Sequence, residues 1–416
     1  MLDQDRSTRD LRLLFLARAV RMFGYGLLSV VLLLYLSAAG LSPHEQGLLL
    51  SLTLVGDTVL TLWLVTQADR FGRRRTLLAG AALMLLAGAV FSMSTSFLVL
   101  LTAATIGVIS PSGSEVGPFL SVEQAALSQI VAPRERTSAY AWYHVVGISA
   151  SAVGALLGGL LTSQAREWGW TGIDAYRPVL WGYSACGLGI AWLTSRLRPQ
   201  VEAPLRTPPG DAVAATRWGL HRSRGIVGKL SLLFAFDAFG GGFILQSILA
   251  YWLHVRYGVN EADLGRIFFA ANLLSGASGL AAGRLANRIG LINTMVFTHL
   301  PASLMLLILA WMPDVASAVA LLLVRYSISQ MDVPARQAYT MAVVAPDERS
   351  AAAGVTSVAR SIGAAASPAI ATSLIAEPAF IAAPLMIAGA IKAMYDVVLF
   401  VAFSRQEVLD SEPHES

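Results

Sequence analysis

Charged residues are scarce in this chain of 416 residues: Asp, Glu, Lys and Arg make up 13% of it, whereas soluble proteins contain about 25%. That shortage argues against an ordinary soluble domain and indicates a protein that lies in lipid. Cysteine is nearly absent too, since Cys186 is the single one. An intramolecular disulfide is therefore excluded, a thiolate metal centre within one chain is not expected, and the predicted role of Cys186 is packing.

Apolar residues are abundant instead, at 55% of the chain with a mean hydropathy of +0.62. They form runs close to the ~20 residues that a helix needs to cross ~30 Å of hydrocarbon. The first run follows a charged start, so we expect it to remain as a helix and not to be cleaved as a signal peptide. The runs predict an all-α membrane protein with twelve transmembrane helices. Their approximate bounds are 11–39, 45–66, 76–97, 98–130, 138–163, 178–196, 227–253, 262–286, 291–312, 314–344, 350–376 and 379–403.

The positive charges predict the orientation of these helices. If the N-terminus is cytoplasmic, nearly all Arg and Lys residues outside the spans fall on the inner side, and the outer segments contain only Arg166, Arg177 and Arg256. Basic loops stay on the cytoplasmic side, so both termini are expected there, in a bacterial-type inner membrane. This bias explains the net charge of +4 better than nucleic-acid binding, which we do not expect.

An internal repeat predicts two six-helix halves. Residues 124–138 (QAALSQIVAPRERTS) align without a gap with residues 337–351 (QAYTMAVVAPDERSA). The expected division is 1–197 for the N-terminal half, 198–226 for a Pro-rich cytoplasmic linker, 227–404 for the C-terminal half and 405–416 for a polar tail. Duplicated halves are typical of transporters, whose substrate site lies near the midplane of the membrane.

Residues 69–75 (DRFGRRR), between the second and third predicted spans, resemble the signature loop GxLADRxGRR of the major facilitator superfamily. The resemblance implies the twelve-helix fold of that family and secondary transport of a small solute, with no cofactor, and we expect a monomer. Val65 replaces the first Gly of the motif, and Asn287 replaces its Asp in the second copy. The resemblance implies a cytoplasmic gate, and our candidates for it are Asp69, Arg70, Gly72, Arg73, Glu135, Arg136, Glu348 and Arg349. The alternatives are a basic loop that only sets topology and ordinary helix capping.

A glycine-rich element in the fifth predicted span is similar to the GPxxGG element of proton-coupled exporters in that family. It consists of Gly147, Gly154, Gly158 and Gly159, with Ala155 in place of the Pro. The similarity implies proton-coupled efflux, that is, antiport. Close packing of two helices through small residues is the alternative.

Charges inside the spans predict the site, because an ionisable group at membrane depth costs at least about 2.5–3.5 kcal/mol and usually faces a cavity or a partner. Our candidates for substrate or proton binding are Glu115, Asp57, Asp237, Arg21, Arg325, Asp332 and Arg360. Glu115 ranks first because residues 110–118 (SPSGSEVGP) interrupt the fourth span beside it, which frees backbone groups for a ligand. A static network of salt bridges is the alternative, and Lys392 with Asp396 is expected to form a local ion pair.

Several interpretations stay open at this stage. The chain is a proton-coupled exporter, a symporter that imports a polar metabolite, or a membrane sensor that uses the fold without transport. No nucleophile motif, nucleotide loop or metal-ligand spacing supports an enzyme. The basic candidates suit an anionic solute and the acidic ones a cation, and the sequence does not choose between them.

Overall fold

The structure is a computed structural model that describes residues 2–132, 134–198, 201–202 and 220–403, without the side chains of residues 2–8, 65–70, 137 and 346. The described residues contain no β-strand. The helices are α1 (Leu2–Ser29), α2 (Leu32–Ala38), α3 (Pro43–Phe71), α4 (Arg73–Met93), α5 (Phe97–Ile106), α6 (Phe119–Ile130), α7 (Arg136–Glu167), α8 (Arg177–Ser195), α9 (Arg224–Gly242), α10 (Gln246–Tyr257), α11 (Glu261–Ile289), α12 (Leu291–Leu309), α13 (Val315–Tyr326), α14 (Asp332–Ala342), α15 (Arg349–Ala365), α16 (Pro368–Ala376) and α17 (Ala383–Phe403).

Several of these helices, alone or together with the next one, have the length of membrane spans. Within the described part of the chain, eight helical segments are long and apolar enough to cross a membrane. A ninth results if α1 and α2, which are bent by 47°, count as one span. The predicted fold class, an all-α membrane protein, is confirmed.

Each of the twelve predicted spans holds one helix or two successive helices. Five of them hold two, namely 11–39, 98–130, 227–253, 314–344 and 350–376. Prolines explain two of the interruptions, because Pro118 and Pro368 lack an N–H group and stand at the start of α6 and α16. A break at membrane depth survives only where protein or water satisfies the freed backbone groups. The breaks are therefore the places where polar chemistry is expected.

The described chain forms two compact units. Unit 1 consists of Met1–Thr207 and Leu245–Leu273, and unit 2 of Pro208–Ile244 and Leu274–Ser416. The units differ from the predicted halves at residues 245–273, which belong to unit 1. Gln246 of α10 donates to Ser29 Oγ there at 2.7 Å. Most of the predicted linker, residues 203–219, lies outside the described residues, as does the predicted tail 405–416.

Glycines let α1 approach α7 closely in unit 1. A Cβ added to Gly154 would lie 2.1 Å from the carbonyl oxygen of Phe23, and one on Gly158 would lie 2.2 Å from that of Leu27. Backbones this close leave no room for a side chain, which is how small residues pack membrane helices. The contact fixes the position of the polar residues that α1 presents.

Unit 2 is built in the same way from α9 and α15. A Cβ on Gly363 would lie 2.1 Å from the carbonyl oxygen of Ala235, and Ser367 Oγ donates to the carbonyl oxygen of Phe239 at 2.7 Å. Buried apolar residues of α9, α12, α14 and α17 form the core beside this contact, including Phe234. The charged residues of these helices lie next to that core.

Candidate functional site

The break between α5 and α6 in unit 1 is held open by side chains of neighbouring helices. Gly113 and Gly117 have φ values of +67° and +80°, which residues with a side chain rarely adopt. Ser151 Oγ donates to the carbonyl oxygen of Gly113 at 2.8 Å, and the Tyr25 hydroxyl donates to that of Val116 at 3.1 Å. Protein groups therefore satisfy two carbonyl groups that the sequence left available for a ligand.

Glu115, the first candidate from the sequence, lies at this break and binds two arginines. Arg18 Nη1 donates to Glu115 Oε2 at 2.6 Å, and Arg21 Nε donates to Oε1 at 2.7 Å. The Glu115 side chain is 13% exposed, whereas Arg21 is fully buried. Two close cations stabilise the ionised carboxylate. Glu115 is thus suited to anchoring the two arginines in their places.

Arg21 has a second carboxylate partner that was not among our site candidates. Its Nη1 and Nη2 atoms each donate to one oxygen of Glu123 at 2.7 Å, and the Tyr143 hydroxyl also donates to Glu123. The Arg18 guanidinium lies over the Tyr143 ring, 4.3 Å from its centroid. This Arg21 cluster consists of Arg18, Arg21, Glu115, Glu123 and Tyr143. Its two cations balance its two carboxylates.

Asp57 of α3 lies beside the same break without a cation. Its Oδ1 atom accepts the backbone N–H of Gly117 at 2.6 Å and the hydroxyl of Thr61 at 3.4 Å. No Lys, Arg or His side chain of the described residues comes within 4.0 Å of its carboxylate. Asp57 is only partly buried. It is therefore a carboxylate at membrane depth with no partner of opposite charge.

Asp237 of α9 is the centre of the second cluster, in unit 2. Lys392 Nζ lies 2.7 Å from Asp237 Oδ1, and Arg360 Nη1 lies 3.2 Å from Oδ2. Arg336 Nη1 is 3.5 Å from the same Oδ2 and 2.9 Å from Asp332. Asp237 is 2% exposed, so several cations surround a buried carboxylate. The structure brings three predicted site residues together here, Asp237, Asp332 and Arg360.

The predicted local pair of Lys392 and Asp396 is wrong. Lys392 turns to Asp237, and Asp396 accepts a hydrogen bond from His299 Nδ1 at 2.8 Å. The other ring nitrogen of His299 is 3.4 Å from Lys392 Nζ. Helices α9, α12 and α17 pack together, so both side chains of α17 find closer partners on other helices than on their own. The Asp237 cluster consists of Asp237, His299, Asp332, Arg336, Arg360, Lys392 and Asp396.

Sequence reasoning left several of these residues out of the predicted site. His299 was missed, although an imidazole among Thr298, Pro301 and Ser303 in an apolar run is a usable signal. Glu123 and Arg336 were not among the predicted site residues either. Glu123 lies 102 residues from its partner Arg21, so no local pattern indicates it. Arg336 is 99 residues from Asp237, but its four-residue spacing from Asp332 is a usable local signal.

Arg325, another candidate, stands apart from both clusters. It is 8% exposed, and its Nε atom has no hydrogen-bond partner among the described residues. Its guanidinium carbon lies 5.5 Å from the centroid of the Tyr326 ring. The structure thus leaves one predicted cation buried and unmatched.

The predicted gate residues of the N-terminal half are described in part. The side chains of Asp69 and Arg70 lie outside the described residues. Gly72 has a φ of +97° and precedes α4, whose first N–H groups, those of Arg73 and Arg74, donate to Glu202 at 2.5 and 3.2 Å. A carboxylate at a helix N-terminus is favourable for the helix dipole.

The other predicted gate residues lie at the starts of α7 and α15. Arg136 Nε donates to the carbonyl oxygen of Val131 at 3.3 Å, and the Glu135 side chain is exposed. Arg349 Nε donates to the carbonyl oxygen of Met341 at 3.0 Å. Each arginine thus ties the start of its helix to the chain before it.

Glu348 is fully buried at the start of α9. It accepts the backbone N–H groups of His221, Arg222 and Ser223, the last two at 2.7 and 2.8 Å. Burial acts to raise the pKa of this carboxyl, but the hydrogen bonds from Ser223 and from the three N–H groups lower it to about 2. Glu348 is therefore ionised and holds the three residues that lead into α9.

The glycines of the exporter-like element all lie at close contacts. Beyond Gly154 and Gly158, a Cβ on Gly147 would lie 2.5 Å from Arg18 Nε, and one on Gly159 would lie 2.0 Å from the carbonyl oxygen of Glu261. Gly147 thereby leaves the space through which Arg18 reaches Glu115. Small-residue packing accounts for these contacts, and the exporter role remains a prediction.

Three chemical properties follow for the described residues. Buried ion pairs hold several helices, and among the predicted substrate- or proton-binding residues Asp57 has no cation and Arg325 has no carboxylate of the described residues within 4.0 Å. No group of three or more His, Cys, Asp and Glu side chains among them is placed to hold a metal ion.

Comparison with known proteins bears on the whole chain. The family model described as Major Facilitator Superfamily matches residues 14–368. A membrane protein of Saccharomyces cerevisiae called YJR124C, described as uncharacterized, is 28% identical over 425 residues, which cover 95% of this chain and 94% of the yeast protein.

Three solved structures have a similar fold. A bacterial homologue of the human lysosomal transporter Spinster, inward-facing and occupied, has a TM-score of 0.71 at 16% identity over 95% of this chain and 96% of its own. A mutant of the nucleoside transporter NupG has a TM-score of 0.73 at 13% identity, over 95% of this chain and 100% of its own. The human organic anion transporter MFSD10 has a TM-score of 0.60 at 17% identity, over 94% of this chain and 99% of its own. At these identities the likeness concerns the fold.

Proposed function

The chain belongs to the major facilitator superfamily, and on that premise we propose that it exports a small solute in exchange for protons by alternating access. Family membership supports a secondary transporter in a membrane and not an enzyme. Proton coupling, the direction of transport, a monomeric state, and a bacterial-type inner membrane with both termini in the cytoplasm belong to the proposal. The observation that carries it is the unpaired carboxylate of Asp57.

Asp57 fits the part of a proton carrier better than Glu115 does. A carboxylate without a cation is costly at membrane depth, and taking up a proton removes that cost. Glu115 is different, because protonating it would take the negative charge away from both Arg18 and Arg21. In this proposal Asp57 gains and loses the proton, and Glu115 stays ionised and holds the arginines.

The link from Asp57 to solute movement runs through the break in the fourth span. Asp57 accepts the N–H of Gly117, which follows Glu115 closely in the chain. Protonation of Asp57 weakens that hydrogen bond, because a neutral carboxyl is a poorer acceptor than a carboxylate. The break then has two arrangements, and a protonation state that favours one of them couples proton binding to conformation.

Export is proposed from the glycine element of α7, which is similar to that of proton-coupled exporters. The solved relatives do not specify the solute, since their names mention an organic anion in one case and nucleosides in another. The solute class must come from the charges of this chain.

The test is solute-driven proton flux in proteoliposomes that contain the purified protein, screened with organic anions, organic cations and hydrophobic amines. We expect Asp57→Asn to abolish proton flux while solute exchange at equal concentrations on both sides continues. Glu45→Gln, at an exposed carboxylate, is the matched control and should behave as the wild type. Normal proton flux in Asp57→Asn would contradict the assignment, and solute uptake driven by an inward proton gradient would replace export by import.

A further inference from the structure

The break between α13 and α14 in unit 2 holds polar groups that have no partner. Arg325 closes α13, and Ser329 lies in the following residues before α14 begins at Asp332. Both Arg325 Nε and Ser329 Oγ are buried without a hydrogen-bond partner among the described residues. We propose that this break binds an anionic group of the transported solute, a carboxylate or a phosphate, through Arg325 and Ser329. The inference rests on the proposed transport function and names the solute class.

The missing partner of Arg325 is unusual among the buried arginines of the spans. Arg18, Arg21 and Arg336 each form an ion pair with a carboxylate at 2.6 to 2.9 Å. Arg325 is only 8% exposed, and no carboxylate of the described residues lies within 4.0 Å of it. A guanidinium stays charged in a protein, so leaving it buried and unpaired is costly. A bound anion would remove that cost.

The carboxylates of the Asp237 cluster are already engaged. Asp332, the nearest along the chain, binds Arg336 at 2.9 Å, and Asp396 binds His299 at 2.8 Å. Asp237 lies within 3.5 Å of three cationic groups. Arg325 is therefore the cation that remains after the carboxylates of the Asp237 cluster have been matched. The complement has to come from outside these residues.

The geometry of the break suits an oxyanion. The backbone N–H of Ser329 donates to the carbonyl oxygen of Arg325 at 3.0 Å, which places the two residues one helical turn apart on the same face. A guanidinium offers parallel N–H donors that match a carboxylate or a phosphate, and a hydroxyl adds one more donor. Both residues donate, so the ligand has to supply acceptor atoms and no donor.

The experiment measures thermal unfolding of the full-length protein in neutral detergent with matched probes. Benzoate and benzamide have nearly the same shape and differ in charge, and methylphosphonate adds a second oxyanion. We expect benzoate and methylphosphonate to raise the unfolding midpoint of the wild type and benzamide to leave it unchanged. In Arg325→Gln we expect the apparent affinity for benzoate to fall roughly tenfold or more, the usual cost of losing a charged hydrogen bond.

Further variants make the result specific. Arg325→Lys keeps the charge and should retain part of the response, while Ser329→Ala should weaken it. Arg266→Gln removes an exposed arginine that pairs with Asp263 and should respond as the wild type does. Without a probe, Arg325→Gln should unfold at the wild-type midpoint or above, because it removes an unpaired buried charge.

Three outcomes would overturn the inference. In the first, benzoate raises the unfolding midpoints of the wild type and Arg325→Gln equally. In the second, neither oxyanion changes the midpoint of the wild type. In the third, added phosphatidylglycerol shifts the wild type through Arg325 and abolishes the benzoate response, which assigns the site to a lipid headgroup. These measurements need no proton gradient, so an absent proton flux would contradict the proposed coupling alone. An anion response that persists beside it would leave the inference in place.

Discussion

Arg21 and Asp237 occupy equivalent positions of the internal repeat and carry opposite charges. Each precedes by five residues a glycine, Gly26 or Gly242, that packs against a backbone carbonyl of the facing helix. A Cβ added to those glycines would lie 2.0 and 2.3 Å from the respective oxygens. The matching contacts establish the register between α1 and α9.

The partners of these two residues are exchanged as well. The register that aligns Gln124 with Gln337 also aligns Glu123 with Arg336. In unit 1 the pair is Arg21 with Glu123 at 2.7 Å, and in unit 2 it is Asp237 with Arg336 at 3.5 Å. The repeat has therefore kept an ion pair at one place while reversing its charges, which indicates that the pairing matters more than the charge of either residue.

Breaking this pair in unit 1 should cost stability. Glu123→Gln removes the bidentate partner of the fully buried Arg21, and we expect the free energy of unfolding to fall by about 3–5 kcal/mol. Reversing both charges, Arg21→Glu with Glu123→Arg, should recover part of the loss. Recovery stays incomplete because Glu115 also faces position 21.

Unfolding midpoints in detergent measure this effect, with Glu45→Gln as an exposed control. If Glu123→Gln has the same unfolding midpoint as the control, the ion pair contributes nothing to stability. If the reversed pair is worse than the sum of its single variants, the equivalence of the two halves does not extend to these charges.

The close contact of α9 and α15 can be tested with two glycines of one helix. Gly363→Ala forces a Cβ to within 2.1 Å of the carbonyl oxygen of Ala235, so we expect a loss of about 1–3 kcal/mol from overpacking. Gly354→Ala meets nothing within 4 Å and should be neutral or stabilising by up to about 1 kcal/mol, since alanine favours helix. Equal effects of the two substitutions on the unfolding midpoint would show that the close contact does not limit packing.

The fold was predictable from the sequence because lipid imposes a simple rule on it. Backbone groups in hydrocarbon must be satisfied within the chain, so an apolar run of the right length reads as a helix. The interruption at residues 110–118, which ends with Pro118, was predicted, whereas Pro368 divides a span that we predicted as one helix. The break between α13 and α14 contains neither Pro nor Gly, and no residue of it indicated that the helix would end there.

The site was predictable as a set of charges and not as a set of pairs. Glu115 and Asp57 were both identified, yet the difference between them, two arginines against none, depends on how α1 packs on α7 and where α3 lies. Local spacing misled at Lys392 and Asp396, because helices that cross offer nearer partners than the next turn does. Partner choice is a property of helix packing, which a single sequence does not display.

Glu348 gives a prediction on pH dependence. Folding lowers its pKa from 4.5 to about 2, so the carboxylate stabilises the protein above pH 4.5, and this contribution is lost as the pH falls towards 2. The wild type should therefore have a higher unfolding midpoint than Glu348→Gln at neutral pH, and the two midpoints should converge in acid. Asp347→Asn, at the exposed neighbour, is the control for charge alone. A difference in unfolding midpoint between wild type and Glu348→Gln that stays constant from pH 7 to pH 3 would refute the assignment of this pH dependence to Glu348.

The choice of partner by Lys392 can be measured with two double-mutant cycles that share one substitution. Lys392→Met combined with Asp237→Asn should show a coupling energy above about 1 kcal/mol, since the two groups are buried and 2.7 Å apart. Lys392→Met combined with Asp396→Asn should show about 0.5 kcal/mol or less, because Asp396 is held by His299 and not by Lys392. Unfolding midpoints of the three single variants, the two double variants and the wild type supply both cycles. A larger coupling in the second cycle would restore the local ion pair that helical spacing suggests, and the Asp237 cluster would then lose its link to α17.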